Sequence, residues 1–277
     1  MTSSEGSATS RPQPRSVADA VAAARAVEKP LAGRTALVTG GSRGLGREIA
    51  IAFAAAGADV AVVSRKKDAC EALAEELSDA TGQKVTAHGA HVADWERVGT
   101  LLDEVEAELG VVDVLVNNAG MAPMYPSLDE VTELLWDKVI GVNLKGPFRF
   151  MAAAGKRMVA AGGGVMLNIS SIASIRPTAN DLPYAAAKAG LNVLTKGFAQ
   201  EYGPTVRVNT ILAGPFFTDI SAGWDMDYFD RLTADWPQSR GGDPAEIVGA
   251  ALYLCGPTAG FTTGTLLAVD GGGTAAP

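Results

Sequence analysis

A tyrosine and a lysine stand four residues apart in the alanine-rich stretch PYAAAKAG, as Tyr184 and Lys188. In a helix, residues i and i+4 share a face, which brings the ammonium close to the phenol. A phenol with a pKa of about 10 exchanges protons poorly at neutral pH, but a nearby positive charge favours its ionised form. The pair could therefore give a proton to a carbonyl oxygen or take one from an alcohol. Taken alone, however, it is more typical of an ordinary helix surface.

The chain around this pair alternates between apolar strands and amphipathic helices. Short β-branched runs such as TALVT and DVAVVS predict strands, and long helices are predicted over residues 132–161 and 184–201. Nearly unbroken apolar strands that alternate with helices indicate a parallel sheet covered on both faces. The sequence therefore predicts a single α/β domain, a Rossmann fold with a doubly wound parallel sheet of about seven strands.

The first 30 residues are predicted to be an extension ahead of a domain at residues 31–277. Residues 1–15 have a composition that cannot repay the entropy of ordering, which predicts a flexible tail. Residues 16–30 carry a narrow apolar stripe, which predicts a short helix.

Composition limits the partners. A net charge of −8 over 277 residues argues against the broad basic face that a nucleic acid or an anionic membrane requires. No stretch approaches the roughly 20 apolar residues that span a bilayer. The N-terminus also lacks the continuous apolar core of a secretory signal, so we expect a cytoplasmic protein. Cys70 and Cys255 lack metal-ligand spacing, so we expect buried, reduced thiols and no metal site.

A glycine-rich turn, TGGSRGLG, separates the first strand from the first helix. Its position lets backbone amides at a helix N-terminus hold a pyrophosphate, whereas a glycine loop alone could simply be a tight turn. The residues of this turn that we predict to bind a dinucleotide are Gly40, Ser42, Arg43, Gly44, Leu45 and Gly46.

The end of the second strand indicates which dinucleotide is bound. An acid is common there when the 2′-hydroxyl of the adenine ribose is recognised, and a base when a 2′-phosphate is recognised. Here Ser64 takes the place of the acid and Arg65 follows, while Arg43 adds a second cation from the glycine turn. Each arginine alone could be an ordinary surface residue. Together they favour NADP(H) over NAD(H).

With these features in place, the chain from about residue 31 onward closely resembles the short-chain dehydrogenase/reductase family. The resemblance implies a nicotinamide-dependent enzyme that interconverts alcohols and carbonyl compounds. Further motifs occur in the family's order: NNAG at residues 117–120, VNLKGPF with Asn143, NISS ending at Ser171, and VDGG at residues 269–272.

The resemblance implies a catalytic set of Asn143, Ser171, Tyr184 and Lys188. The family's spacing to the tyrosine selects Ser171 over Ser170, for which we expect a structural role. Ser171 would fix the substrate oxygen, Tyr184 would exchange its proton, and Lys188 would also hold the nicotinamide ribose. Asn143 would anchor water leading from Lys188 to solvent, although a helix kink or cap is the alternative for this residue alone.

The resemblance also implies cofactor contacts after the third, fourth and sixth strands. His91 and Val92 stand where relatives have an Asp-Val pair, so Val92 is carried over without the neighbouring acid. In the family the NNAG residues, here with Asn118, Ala119 and Gly120, lie beneath the cofactor. Gly214 follows the sixth strand, and Thr218 matches a threonine that contacts the nicotinamide amide.

A lid over the substrate is predicted at about residues 215–242. Its aromatic residues are Phe216, Phe217, Trp224, Tyr228, Phe229 and Trp236. These rings suggest an apolar cover over the substrate, but they are equally consistent with side chains that pin the lid to the body. Arg176 could bind a substrate carboxylate or be a surface residue. The resemblance is greatest to 3-oxoacyl-carrier-protein reductases and gluconate dehydrogenases, which leaves 3-oxoacyl thioesters, keto-sugar acids and other small carbonyl compounds open.

Two further expectations concern class and assembly. A nucleotide-binding sensor or scaffold that keeps the fold is the alternative to an enzyme, although a sensor need not retain all four catalytic residues. The resemblance implies a homotetramer, or a homodimer, paired through the helices at residues 131–161 and 184–201, with the C-terminal strand near a second interface.

Overall fold

The apolar runs of the sequence become the strands of one parallel sheet. In this computed structural model, residues 28–219, 221 and 226–275 are described, so the predicted tail and almost all of the predicted N-terminal helix lie outside the described residues. The strands are β1 (Thr35–Thr39), β2 (Asp59–Ser64), β3 (Val85–Gly89), β4 (Val114–Asn117), β5 (Gly164–Ser171), β6 (Val206–Ala213) and β7 (Leu266–Val269).

The strands are ordered β3-β2-β1-β4-β5-β6-β7, and every neighbouring pair is parallel. This confirms the predicted doubly wound sheet and its seven strands. The chain moves outward from β1 in one direction and then restarts at β4 on the other side of β1. That reversal leaves a crevice at the carboxyl ends of β1 and β4, the place where open α/β sheets bind ligands.

Helices connect successive strands and cover both faces of the sheet. They are α1 (Gly44–Ala55), α2 (Lys67–Thr81), α3 (Trp95–Leu109), α4 (Glu133–Ile140), α5 (Gly146–Ala160), α6 (Leu182–Tyr202), α7 (Met226–Thr233) and α8 (Val248–Cys255). The one long helix predicted over residues 132–161 is divided, because a π-helical turn at Gly141–Lys145 joins α4 to α5.

Local sequence sets several helix ends. The Asp94 carboxylate accepts a hydrogen bond from Arg97 N at 3.1 Å, which caps the start of α3. Gly82 ends α2 with a φ of 71°, a left-handed conformation that glycine adopts without steric cost. Pro147 lies in the first turn of α5, where a missing N–H costs little.

The core has two parts, one on each face of the sheet. On one face α1 and α8 bury Ile49, Phe53 and Leu254 against the strands, and on the other α5 and α6 bury Phe150 and Leu191. Each such side chain contributes about 1.5–3 kcal/mol relative to exposure. Together these layers hold the sheet rigid beneath the crevice.

Both cysteines are buried free thiols, as predicted. Within the described ranges, no helix is long and apolar enough to cross a membrane, and no cluster of His, Cys, Asp and Glu side chains is suited to hold a metal ion.

Candidate active site

The predicted site residues come from different strands but gather at one edge of the sheet. Because all seven strands are parallel, the segments that follow β1, β2, β4, β5 and β6 leave the sheet on the same side. The glycine turn follows β1, the NNAG residues follow β4, Ser171 ends β5, and Thr218 lies beyond β6. Tyr184 and Lys188 reach this edge from the first turns of α6.

The glycine turn is shaped so that larger residues do not fit. Gly40 has a φ of 64°, and a Cβ atom there would lie 2.9 Å from Cα of Ala119. A Cβ atom at Gly46 would overlap the carbonyl oxygen of Gly40 and the side-chain nitrogen of Asn118. Two of the predicted glycines are therefore required for the turn to pack against the segment after β4.

Thr39, which belongs to none of the predicted motifs, joins these two segments. Its Oγ1 accepts hydrogen bonds from the backbone N–H groups of Asn118 and Ala119, at 3.0 and 3.1 Å. In return, Nδ2 of Asn118 donates to the carbonyl oxygens of Thr39 and Gly40, at 3.0 and 3.1 Å. The side chain of Asn118 therefore supports the glycine turn from behind. The only sequence signal for Thr39 was its position at the end of the first strand.

The end of β2 lies beside the glycine turn. Gly41 N donates to Val63 O at 3.2 Å. Arg43 follows Gly41 by two residues, and Arg65 follows Val63 by two. The two cations therefore belong to the same corner of the site. Ser64 Oγ donates to Lys66 O at 3.0 Å and lies 3.0 Å from Sγ of Cys70.

Arg43 is paired with an acid that lies outside the predicted motifs. Its Nη1 lies 3.6 Å from Oδ2 of Asp219, and the two side chains are 61% and 62% exposed. Arg65 is exposed and forms no ion pair among the residues that the structure describes. An exposed pair of this length contributes little to stability, so an arriving anion could take over Arg43 at small cost.

Ser171 and Tyr184 meet at the end of β5. Ser171 Oγ accepts from Ala173 N at 3.1 Å, which leaves its hydroxyl proton free, and the Ser171 side chain is near enough to the phenol of Tyr184 to lower its pKa. Burial has the largest effect and raises the pKa of Tyr184, the polar side chain of Ser171 lowers it, and the negative charge of Asp181 raises it further. The expected lowering of the pKa of this phenol is therefore not found in the structure, because burial outweighs the favourable contacts.

Lys188 lies almost wholly buried behind the tyrosine. Its Nζ is 5.6 Å from the centre of the Tyr184 ring and donates to the carbonyl oxygen of Ile169 at 2.7 Å. Burial lowers the pKa of Lys188 to about 8. Ser170 is buried and donates to the carbonyl oxygen of Lys188 at 3.3 Å, which agrees with the structural role expected for it.

Asn143 occupies the π-helical turn between α4 and α5 and is fully buried. Its Nδ2 donates to Met121 O at 2.8 Å and Val139 O at 3.0 Å, and its Oδ1 accepts from Met121 N at 3.2 Å. A Cβ atom at Gly120 would lie 3.0 Å from Oδ1 of Asn143 and 3.7 Å from Nζ of Lys188. The side chain thus ties the segment after β4 into place, and Gly120 leaves room between it and the lysine.

The remaining predicted cofactor residues lie around the same crevice. Val92 is buried, and its carbonyl oxygen would be 2.5 Å from a Cβ atom at Gly146. Gly214 packs against Asp270 of the VDGG motif, where a Cβ atom would lie 2.6 Å from Cα of Asp270. The methyl side of Thr218 faces Gly44, so the segment after β6 closes over the glycine turn.

The lid is partly described. Phe216 and Phe229 are buried, and the rings of Phe217 and Phe229 have centroids 5.6 Å apart, which favours pinning of the lid to the body. Trp224 lies outside the described residues. Arg176 donates from Nη1 to the carbonyl oxygen of Gly273 at 2.5 Å, which favours a structural role over a carboxylate contact.

This arrangement has the parts that a bound dinucleotide needs. The N-terminus of α1 follows the glycine turn at the crevice, two exposed arginines stand at its corner, and a serine, a tyrosine and a lysine converge at the other end. A cofactor stretched between those ends would bring its nicotinamide to the hydroxyl groups. Fold and site together define an oxidoreductase of the dinucleotide-binding class.

Comparisons with known proteins specify the family. A family profile described as enoyl-(acyl carrier protein) reductase matches residues 40–274. The 3-oxoacyl-[acyl-carrier-protein] reductase of Chlamydia muridarum is 38% identical over 247 residues, which are 87% of this chain and 98% of that protein. The D-threitol dehydrogenase of Mycolicibacterium smegmatis is 38% identical over 244 residues, which are 87% of this chain and 93% of that protein.

A solved structure shows the same architecture. The gluconate 5-dehydrogenase of Burkholderia cenocepacia, in complex with NADP and tartrate, is 34% identical, with a TM-score of 0.86 over 91% of this chain and 99% of that one. The chain therefore belongs to the short-chain dehydrogenase/reductase family, and it is an oxidoreductase that acts on CH–OH or C=O groups.

Proposed function

We propose that the protein is an NADP(H)-dependent carbonyl reductase or alcohol dehydrogenase in which Tyr184 is the general acid and base. The observation that carries the proposal is the convergence of Ser171, at the end of β5, with Tyr184 and Lys188 in the first turns of α6, where Nζ of Lys188 lies 5.6 Å from the centre of the tyrosine ring. A carbonyl oxygen placed between the two hydroxyls would accept hydrogen bonds from both. This fixes its orientation and stabilises the charge that develops on it.

Each side chain has a separate task. Ser171 holds the substrate oxygen, and Tyr184 gives it a proton during reduction or removes one during oxidation. The raised pKa of Tyr184 keeps the phenol protonated at neutral pH, which suits donation to a ketone. Lys188 places a positive charge behind the phenol and lowers the cost of its ionisation. When bound, the cofactor supplies or accepts the hydride.

The choice of NADP(H) rests on the corner formed by the glycine turn and the end of β2. Arg43 and Arg65 are exposed there, and Ser64 replaces the acid that would repel a 2′-phosphate. The gluconate 5-dehydrogenase with a similar fold contains NADP, which agrees with this choice.

The substrate is proposed to be a small carbonyl compound or secondary alcohol. The similar proteins include a 3-oxoacyl-[acyl-carrier-protein] reductase, a D-threitol dehydrogenase and a gluconate 5-dehydrogenase. These names support testing 3-oxoacyl thioesters, keto-sugars and keto-sugar acids together. The net charge of −8 disfavours tight docking of an acidic carrier protein, because the two surfaces would repel each other.

The test is oxidation of NADPH in the presence of a panel of ketones, diketones, keto-sugar acids and 3-oxoacyl thioesters, repeated with NADH. At least one compound should be reduced faster with NADPH. In Tyr184→Phe the rate should fall by about 100-fold to 10,000-fold, the range that a general acid contributes. The affinity for NADPH should stay nearly unchanged. Turnover that survives in Tyr184→Phe would refute the assignment, and no reaction with any compound would favour the sensor.

Assembly as a homotetramer, or a homodimer, is also proposed. Several apolar side chains on α4 and α6 face outward, including Leu134 at 64% exposure and Val193 at 70%. Phe261, close before β7, is fully exposed as well. Burial of such surfaces between copies would stabilise an assembly. The mass in solution tests this, and a monomer at working concentration would refute it.

We also propose a cytoplasmic location, supported by the two buried free thiols and testable by cell fractionation.

A further inference from the structure

The hydroxyl group of Tyr125 joins two loops at the rim of the candidate active site. Tyr125 lies in the segment between β4 and α4, and its hydroxyl donates to the carbonyl oxygen of Ala179 at 2.7 Å. The same oxygen accepts from the backbone N–H of Leu182 at 3.0 Å. One phenol therefore serves as donor and acceptor on either side of the turn that precedes α6.

The start of α6 otherwise lacks a cap. Asp181 is the N-cap residue, but its side chain makes no cap hydrogen bond, because Oδ1 accepts from Thr178 N at 2.8 Å instead. Leu182 N has no acceptor within the helix, and Pro183 has no N–H at all. The hydroxyl of Tyr125 supplies the acceptor that the local sequence does not provide.

The segment that Tyr125 holds connects two members of the catalytic set. Residues 172–181 run from Ser171 at the end of β5 to the turn before Tyr184. The beginning of this segment is fixed from α6, where Nδ2 of Asn192 donates to Oγ of Ser174 at 2.8 Å. Its end is fixed by Tyr125. Movement at that end would shift the first turn of α6, which carries Tyr184.

We propose that Tyr125 is a positioning residue that holds the first turn of α6, and with it the hydroxyl of Tyr184, in register with Ser171. This inference rests on the proposed function, since it assigns Tyr125 a task in the same reaction. Tyr125 acts through the backbone of residues 179–182 and needs no contact with substrate or cofactor. A phenylalanine keeps the ring and removes only the bridging oxygen, and both backbone groups lie where water can reach them.

Tyr125→Phe is the test, with Tyr253→Phe as the matched control. Tyr253 lies on α8, away from the sheet edge that carries the site, and its hydroxyl lies 3.0 Å from that of Thr262. Tyr253→Phe therefore removes an equivalent hydroxyl contact. The first readout is backbone hydrogen exchange followed by mass spectrometry, which requires no substrate. In Tyr125→Phe, peptides covering residues 179–186 should exchange faster than in the wild type, while Tyr253→Phe should leave them unchanged.

The second readout is steady-state kinetics with a compound that the wild type reduces. In Tyr125→Phe, kcat should fall about 10-fold, short of the roughly 100-fold loss that a displacement of 1 Å can cause. The Kd for NADPH should not change. Unaltered exchange at residues 179–186, or faster exchange with an unaltered kcat, would overturn the proposal. If the wild type reduces nothing in the panel, the proposed function fails, and hydrogen exchange alone still decides whether Tyr125 holds the start of α6.

Discussion

Nζ of Lys188 lies 5.6 Å from the centre of the Tyr184 ring and donates a hydrogen bond to the carbonyl oxygen of Ile169 in β5. The lysine is thereby fixed to the strand that ends in Ser171, while the tyrosine is fixed to the helix. In the proposed reaction, the charge of Lys188 and the hydroxyl of Ser171 would consequently be anchored to the same rigid strand. This arrangement limits movement between the three groups during a proton transfer.

The buried position of Lys188 predicts an alkaline limit to activity. With a pKa lowered to about 8, the amine is charged below that pH and neutral above it, whereas the raised pKa of Tyr184 keeps the phenol protonated throughout. For ketone reduction, kcat/KM should therefore be constant near neutrality and decline above pH about 8. Initial rates from pH 6 to about 9.5, with NADPH saturating, measure this directly.

Lys188→Arg tests whether the decline belongs to this residue. A guanidinium stays charged across the whole range, so any activity that remains should show no alkaline decline. A wild-type rate that stays constant to pH about 9 would show that the charge on Lys188 is not needed.

Local patterns predicted the parts of the site that depend on local structure. The apolar run at β1, the glycines after it and the helix that follows are contiguous, so their order alone predicted a glycine turn that opens a helix. The i, i+4 spacing placed Tyr184 and Lys188 on one helix face. Parallel strands then brought these separate motifs to one edge, since their carboxyl ends coincide.

Contacts between distant segments were not predictable in the same way. Thr39 bonds to Asn118 and Ala119, Arg43 pairs with Asp219, and Tyr125 caps α6, all across sequence separations that no periodicity encodes. The π-helical turn at Asn143 was also missed, because its sequence is compatible with a continuous helix. The pKa of Tyr184 was predicted in the wrong direction because burial, which depends on the whole fold, exceeds the effect of any one neighbour.

Gly46→Ala should weaken cofactor binding without unfolding the rest of the sheet. The added methyl would overlap the Gly40 carbonyl oxygen and the Asn118 amide, so the turn must shift away from the segment after β4. NADPH Kd, measured by calorimetry, should rise at least about 10-fold, since each lost hydrogen bond to a charged group costs about 1.5–3 kcal/mol. The matched control is Gly249→Ala in α8, where a Cβ atom meets nothing within 4 Å. Equal affinity in the two variants would mean that the turn does not bind the cofactor.

The ion pair between Arg43 and Asp219 predicts how cofactor choice can be altered. Arg43→Ala and Arg65→Ala should each weaken NADPH binding about 10-fold. NADH binding should stay unchanged, because only NADPH carries a 2′-phosphate. Asp219→Asn should act in the opposite direction, since it frees Arg43 from an exposed partner at 3.6 Å. The gain in NADPH affinity should not exceed about 5-fold, which corresponds to the energy of an exposed ion pair, and it should shrink at high salt. Binding titrations with both cofactors measure all three variants. If NADH affinity falls as much as NADPH affinity in the arginine variants, these side chains contact a part common to both cofactors, and the corner does not select the phosphate.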